Sequence, residues 1–282
     1  MDALHGRVVA ITGASAGIGL ALSRALVTRG AHVAACARRQ DRLTALANDC
    51  ASLPGQLLTV AGDVTSESDI QSLVDHTIAR FGRIDVMVCN AGIGYHGRLD
   101  ATPPDVIRRV LDVNTLGTIY ASRAALIAMR RQGRGHIIAI SSIVGRRGVE
   151  GSSVYSASKA AQLAFIESLR AEFLGTDFRA SVVFPISTTT EFHHAIERDF
   201  DQHVTGHGPK QSAETVAQAI VACIERPRAE VYPYRWSKVL SVLSALAPVT
   251  ADRLVRRFRR QGSGTPASVS YTHLTLPTSD LV

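Results

Sequence analysis

Arg7-Val8-Val9-Ala10-Ile11-Thr12-Gly13-Ala14-Ser15-Ala16-Gly17-Ile18-Gly19-Leu20 is the stretch on which the fold of this chain turns. The β-forming run Arg7–Ile11 passes directly into a glycine-rich turn, which opens an amphipathic stretch, Leu20-Ala21-Leu22-Ser23-Arg24-Ala25-Leu26. Glycine lets a backbone turn sharply and approach a ligand closely, and the first amides of the following helix point at whatever anion lies there. A glycine cluster alone also serves ordinary tight turns. Its place between a strand and a helix predicts a pyrophosphate site, with Gly13, Ser15, Gly17, Ile18 and Gly19 as the expected cofactor-contacting positions.

Working outward, further β-rich runs fall at His32–Cys36, Leu57–Ala61, Ile84–Cys89, Gly135–Ile140 and Arg179–Phe184, each separated from the next by a stretch of helical length. Such alternation predicts repeated βαβ units. The runs are almost continuous in Val, Ile, Ala and Leu, so both faces of the sheet are expected to be covered. The expectation is an α/β fold: one Rossmann-like, doubly wound parallel sheet flanked by helices, over residues 1–235. With 282 residues and 46% hydrophobic content, the chain can bury a large core in a single domain. Neither an N-terminal leader pattern nor a membrane-length apolar segment is evident, which predicts a soluble, cytoplasmic protein. Cys36, Cys50, Cys89 and Cys223 lack metal-ligand or redox spacing and read as small buried apolar residues.

In parallel sheets of this kind, ligands bind at the carboxyl ends of the strands. At the end of the second strand run stands Ala37-Arg38-Arg39 rather than the acidic residue that would hold a ribose 2′-hydroxyl. Guanidinium groups form forked, charge-assisted hydrogen bonds to phosphate, so Arg38 and Arg39 favour NADP(H) over NAD(H). Asp41 follows as a helix cap. Further along, Tyr155 and Lys159 are one helical turn apart and share a helix face. A cation beside a phenol favours the phenolate, which is expected to lower the Tyr155 pKa toward working pH. A solvated helix face would show the same spacing.

Together these motifs make the chain resemble the short-chain dehydrogenases/reductases, in the short single-domain branch, over roughly residues 6 to 235. Thr12 to Gly19, Asp63-Val64, Cys89-Asn90-Ala91-Gly92, Asn114, Ser141-Ser142, Tyr155 to Lys159 and Pro185 to Thr190 occur in the family's order. The resemblance implies an adenine contact by Asp63 and the Val64 amide; as a bare sequence, Asp63 also fits the start of the next helix. It implies that Asn90, Ala91 and Gly92 stabilise the sheet and line the cofactor, with Cys89 standing where the family usually has Asn. Ser142, thirteen residues before Tyr155, is implied to hydrogen-bond the substrate oxygen, with Ser141 as the adjacent alternative. Asn114 is implied to bend its helix and hold a relay water; Lys159 also binds the nicotinamide ribose; Pro185 and Thr190 lie by the nicotinamide. The implied catalytic set is Asn114, Ser142, Tyr155 and Lys159. Ile186 replaces the family's usual glycine, so the backbone there is expected to differ.

The implied reaction is hydride transfer between NADP(H) and a carbonyl or alcohol carbon, with Tyr155 as general acid/base. Ile143, Val144, Val149, Gly94 and Ile186 form an apolar expected wall, and so predict a hydrophobic ketone, alcohol, lipid or steroid-like substrate. Residues 186–211 are expected to form the substrate lid. Its His193, His194, His203 and His207 match no metal-ligand spacing, so no metal is expected. The alternatives are a catalytically silent NADP(H) sensor and a membrane-peripheral reductase. The family usually pairs through helices near residues 102–131 and 154–173, implying a homodimer or homotetramer.

The net charge of +7 does not point to nucleic acid, because the excess sits late in the chain: eight Arg or Lys against Glu230 and Asp252 in residues 228–260. Residues 236–262 read as a basic, amphipathic C-terminal extension, either lying on an anionic membrane surface or packed on the domain or a neighbouring subunit. Residues 263–282 read as a disordered or non-native tail and carry no fold pattern.

Overall fold

The structure is a computed structural model and describes residues 3–192, 196, 200 and 209–253. The first stretch folds as strand β1, Val8–Thr12, followed by helix α1, Gly17–Thr28. In order there follow β2 (His32–Ala37), α2 (Gln40–Cys50), β3 (Gln56–Ala61), α3 (Glu67–Phe81) and β4 (Val86–Cys89). Helices α4 (Pro104–Leu111) and α5 (Gly117–Gln132) flank a π-helical turn, Asp112–Leu116. The chain continues with β5 (Arg134–Ile140), the short α6 (Ile143–Arg146), α7 (Ser153–Glu172) and β6 (Asp177–Val183). The two-residue strands β7 (Thr188–Thr189) and β8 (Gln211–Ser212) come next, then α8 (Ala213–Glu225), β9 (Glu230–Val231) and α9 (Trp236–Leu246).

Seven strands form one sheet in the order β3-β2-β1-β4-β5-β6-β9, every neighbouring pair parallel. The sequence-predicted strands lie within this sheet with small shifts of boundary. At β4, which begins at Val86 rather than Ile84, the Ile84 backbone is held by the Gln132 side chain, while the Asp85 amide still donates to the Val8 carbonyl (2.9 Å) and its carbonyl accepts from the His136 amide (3.0 Å). The Ile84 amide donates to Gln132 Oε1 (2.9 Å) and Asp85 Oδ2 accepts from the Val8 amide (3.0 Å). The seventh strand, β9, falls outside the predicted runs, since two residues carry no periodicity.

All five residues of β1 are buried, as a strand covered on both faces requires. On one face Val9, Ile11, Leu22, Leu26, Ile220 and Ile224 join the sheet to α1 and α8. On the other, Ile70, Leu73, Met87, Met129, Ile166 and Phe184 join it to α3, α5 and α7. All four cysteines are buried and unpaired. Strand order reverses between β1 and β4, so the crevice at their carboxyl ends is the topological switch point. Strands β7 and β8 form a separate parallel ladder that brings Thr188 beside Gln211 and Thr189 beside Ser212. This ladder closes the base of the excursion from 190 to 210. The four lid histidines and the tail from 254 onward lie outside the described residues.

Candidate active site

At the switch point the turns after β1 and β4 are tied together by one side chain. Asn90 Nδ2 donates to the carbonyls of Thr12 (2.9 Å) and Gly13 (3.1 Å), while Thr12 Oγ1 accepts from the amides of Asn90 and Ala91. Gly13 adopts φ +70°, and a Cβ there would fall 2.8 Å from Ala91 Cα. Only glycine fits. Helix α1 starts at Ala16 with no side-chain cap, so the amides of its first turn, Gly17, Ile18 and Gly19, have no side-chain acceptor. A pyrophosphate fits this donor set.

At the ends of β2 and β3, Arg38 and Arg39 bring two guanidinium groups to the same rim. Arg38 lies 3.8 Å from Asp63, and Arg39 donates to Ser15 Oγ (3.2 Å) and to Glu191 (3.2 Å). Glu191 also faces Arg42 at 3.6 Å. Asp41 lies inside the first turn of α2, with Arg39 at the cap position, so the expected Asp41 cap is corrected. Asp63 Oδ1 accepts from the amide and hydroxyl of Thr65, while Ser66 caps α3. Asp63 therefore makes an Asx turn one step ahead of the cap. Val64 beside it is buried.

The second half of the site is built on α7. Tyr155 and Lys159 share its inward face, with Lys159 Nζ 5.8 Å from the Tyr155 ring centroid. Ser142, at the end of β5, accepts from the Val144 amide (3.4 Å) as the cap of α6 and lies near enough to the Tyr155 hydroxyl to draw its pKa down. Ser141 turns the other way and donates to the Lys159 carbonyl (2.8 Å), so of the two serines Ser142 faces Tyr155. Lys159 Nζ donates to the Ile140 carbonyl (2.9 Å) and is 3% exposed.

Burial sets the charges here. It pushes the Tyr155 phenol up to about 12, against a smaller downward pull from Ser142, and pushes the Lys159 ammonium down to about 7. The expectation that Lys159 lowers the Tyr155 pKa is thus not met in this structure. Desolvation is the larger effect on the phenol, and it also disfavours the charge on Lys159.

Asn114 occupies the centre of the π turn, where amides reach back five residues rather than four. The extra residue aims its side chain into the site. Asn114 Oδ1 accepts from the Ile93 amide (2.8 Å), and Nδ2 donates to the Ile93 carbonyl and Ser158 Oγ (both 2.9 Å). Its own carbonyl accepts from Gln162 Nε2 and Thr118 Oγ1, both 2.8 Å. A Cβ on Gly92 would come within 3.1 Å of Asn114 Oδ1 and 3.3 Å of Lys159 Nζ.

From the far side, Pro185 accepts from the Ile143 amide (3.0 Å), and Thr190 Oγ1 accepts from the Phe192 amide (3.2 Å) beside Gly17. Ile186 donates its amide to Gln211 Oε1 (3.4 Å). Phe192 sets its ring 5.9 Å from that of Tyr155 and, with Ile196, packs against Gly94. A surface depression of about 600 Å³ lined by Phe81, Arg83, Arg134 and Asp177 lies at the opposite end of the strands, away from this chemistry.

Sequence reasoning missed Glu191, Arg42, Phe192, Ser158 and Gln162 as parts of the site. Ser158 and Gln162 stand three and seven residues after Tyr155, a helical spacing that could have found them. Glu191 and Phe192 carry no such signal, since they reach the site through a loop.

A family profile described as short chain dehydrogenase matches residues 7–201. The chain is 36% identical over 259 residues to the 11-beta-hydroxysteroid dehydrogenase-like 4A protein of Arabidopsis thaliana, covering 88% of this chain and 83% of the relative. Among solved structures, an alcohol dehydrogenase from the archaeon Thermococcus sibiricus complexed with 5-hydroxy-NADP superposes with a TM-score of 0.71. Its sequence identity is 27%, over 80% of this chain and 95% of that one. A short chain dehydrogenase/reductase from Burkholderia phymatum in complex with NAD shares the fold, with a TM-score of 0.76 at 20% identity over 96% of this chain and all of that one.

Proposed function

This chain belongs to the short chain dehydrogenase family of oxidoreductases, and from that premise we propose that it is an NADP(H)-dependent reductase of apolar carbonyl compounds. One observation carries the reading: Tyr155, Ser142 and Lys159 converge at the carboxyl end of β5, with Lys159 Nζ 5.8 Å from the Tyr155 ring and Ser142 on the hydroxyl side.

When bound, the nicotinamide cofactor supplies or accepts hydride. Gly13, Ser15, Gly17, Ile18 and Gly19 would hold its pyrophosphate, Asp63 and Val64 its adenine, and Arg38 and Arg39 a 2′-phosphate. Asn90, Ala91, Gly92, Pro185 and Thr190 would line its nicotinamide half, together with Tyr155 and Lys159. Arg39 is already engaged by Glu191, so a phosphate there exchanges with that carboxylate.

A phenol with a pKa near 12 stays protonated at neutral pH, which suits it to donate to the alkoxide forming on a carbonyl oxygen. Ser142 donates a hydrogen bond to the same oxygen, where charge develops. Lys159, with a pKa near 7, can return a proton toward Tyr155, and Asn114 fixes the loop at Ile93 that borders the site. The ring of Phe192, with Ile196 and Ile143, supports an apolar substrate, and the printed name of the Arabidopsis relative supports a steroid-like one. Four unpaired cysteines support a reducing compartment, the cytoplasm. Pairing of two copies through α4, α5 and α7 is proposed on family grounds, with Ile127, 46% exposed, as an apolar contact.

NADPH oxidation across a panel of apolar carbonyls and polar sugars tests the reading. Tyr155→Phe is expected to keep NADPH binding and to lower turnover at least about a hundredfold. Wild-type turnover in that variant refutes the assignment, and preference for sugars refutes the substrate class.

A further inference from the structure

Helix α9 is inside out. On a 3.6-residue period, Ser237, Ser241 and Ser244 share one face, and that face turns toward the protein: Ser237 is 3% exposed and the other two are half-buried. These serines use their hydroxyls on the helix's own surroundings, Ser237 on the Tyr234 carbonyl, Ser241 on that of Ser237 and Ser244 on that of Ser241. Trp236, Val239, Leu240, Val242, Leu243 and Leu246 occupy the remaining arc, all exposed, from 47% for Val239 to 78% for Leu246. Val249, just past the helix, extends the same surface. A water-facing helix normally shows the opposite arrangement, and a contiguous apolar patch of this kind marks an interaction site.

We propose that the outward face of α9 docks this protein on an anionic bilayer surface. Charge identifies the occupant. Residues 231–260 contain seven Arg or Lys and a single acidic residue, Asp252, which is itself paired with Arg147. A surface of anionic headgroups complements that excess. A second copy of this chain meeting α9 in a two-fold contact would set the same positive charge against itself.

Geometry agrees with an in-plane position. Eleven residues are about half the length that spans a bilayer, so the helix lies along the interface with its apolar side down. Exposed Arg235, at the N-terminal end of the helix, and Lys238, at the edge of the apolar arc, have long stems that can follow the apolar surface while their charged ends reach the headgroups. The helix is also anchored rather than dangling: Arg147, which follows α6, donates to the Pro248 carbonyl (3.1 Å) as well as pairing with Asp252.

The protein carries its own probe, because Trp236 is the only tryptophan in the chain and is 67% exposed. The full chain is titrated with vesicles of phosphatidylcholine alone and of phosphatidylcholine with phosphatidylserine, reading Trp236 emission and co-sedimentation without substrate. The expected result is a blue shift and pelleting with the phosphatidylserine vesicles, reversed by high salt, and little of either with phosphatidylcholine alone. The double substitution Leu240→Ser with Leu243→Ser, at exposed positions, is expected to lower the partition coefficient by more than about a hundredfold. Brominated lipids quenching Trp236 in the wild-type chain give a second readout that needs no variant. Unshifted emission with anionic vesicles overturns the proposal, as does equal partitioning of the double variant. So does a dimer in light scattering that the double substitution dissociates while vesicles stay unbound.

Discussion

Replacing Asn114 by leucine tests whether the π turn is held by its side chain. The amide of Asn114 is fully buried and satisfies both the N–H and the carbonyl of Ile93, for which no other partner exists among the described residues. Ser158 loses one interaction but keeps its bond to the Tyr155 carbonyl (2.7 Å), so two groups are left unsatisfied. At about 1–3 kcal/mol for each unsatisfied group, the substitution costs about 2–6 kcal/mol, a fall in melting temperature of at least about 4 °C. Leucine keeps the space filled and excludes water. Asn114→Ala opens room for a water to replace the amide, so it is expected to fall less. Thermal unfolding of the three proteins followed by circular dichroism decides the matter. A leucine variant melting within a degree of wild type, or above the alanine variant's loss, would refute the account of the turn.

Two further outcomes follow from the charges at the site. Arg38→Ala with Arg39→Ala is expected to raise the KM for NADPH at least about tenfold while leaving that for NADH nearly unchanged, read by initial rates with each cofactor; equal effects on both would dismiss the 2′-phosphate reading. Lys159 is pushed from an ordinary 10.5 down to about 7 by burial, so between those values the unfolded chain binds a proton that the folded chain does not. Folding stability from this group therefore rises with pH from 7 to 10.5 and is lost as pH falls through 7. Lys159→Met should flatten that rise and melt higher than wild type at pH 7, although inactive; parallel melting curves across the range would contradict it.

The sheet was legible because its central strands are buried on both faces, which leaves an uninterrupted apolar run such as Val8–Ile11 in the sequence. The glycine turn was legible for the same kind of reason: Gly13 has no substitute where Ala91 approaches it. Spacing along one helix gave Tyr155 and Lys159, but not the balance of their charges, because desolvation depends on everything packed around them. The π turn has no sequence period of its own, and Asn114 shows its purpose only through partners 21 and 44 residues away. Glu191 on Arg39 and Phe192 on Tyr155 are long-range encounters made by a loop. The orientation of α9 was equally hidden, since a period of 3.6 says that apolar residues share a side and not which way that side turns.

The small ladder between Thr188–Thr189 and Gln211–Ser212 turns the stretch from 190 to 210 into an insert fastened at one point. Gln211 fastens both ends, taking the Ile186 amide on its side chain and giving its own amide to the Ser187 carbonyl. Whatever runs from 190 to 210 begins and ends at one clasp, and doubling the length of such an excursion adds only about 0.6 kcal/mol of closure entropy. Sequence beyond Phe192 can therefore lengthen with little effect on the sheet, while Thr190 beside Gly17 and Glu191 on Arg39 stay with the clasp.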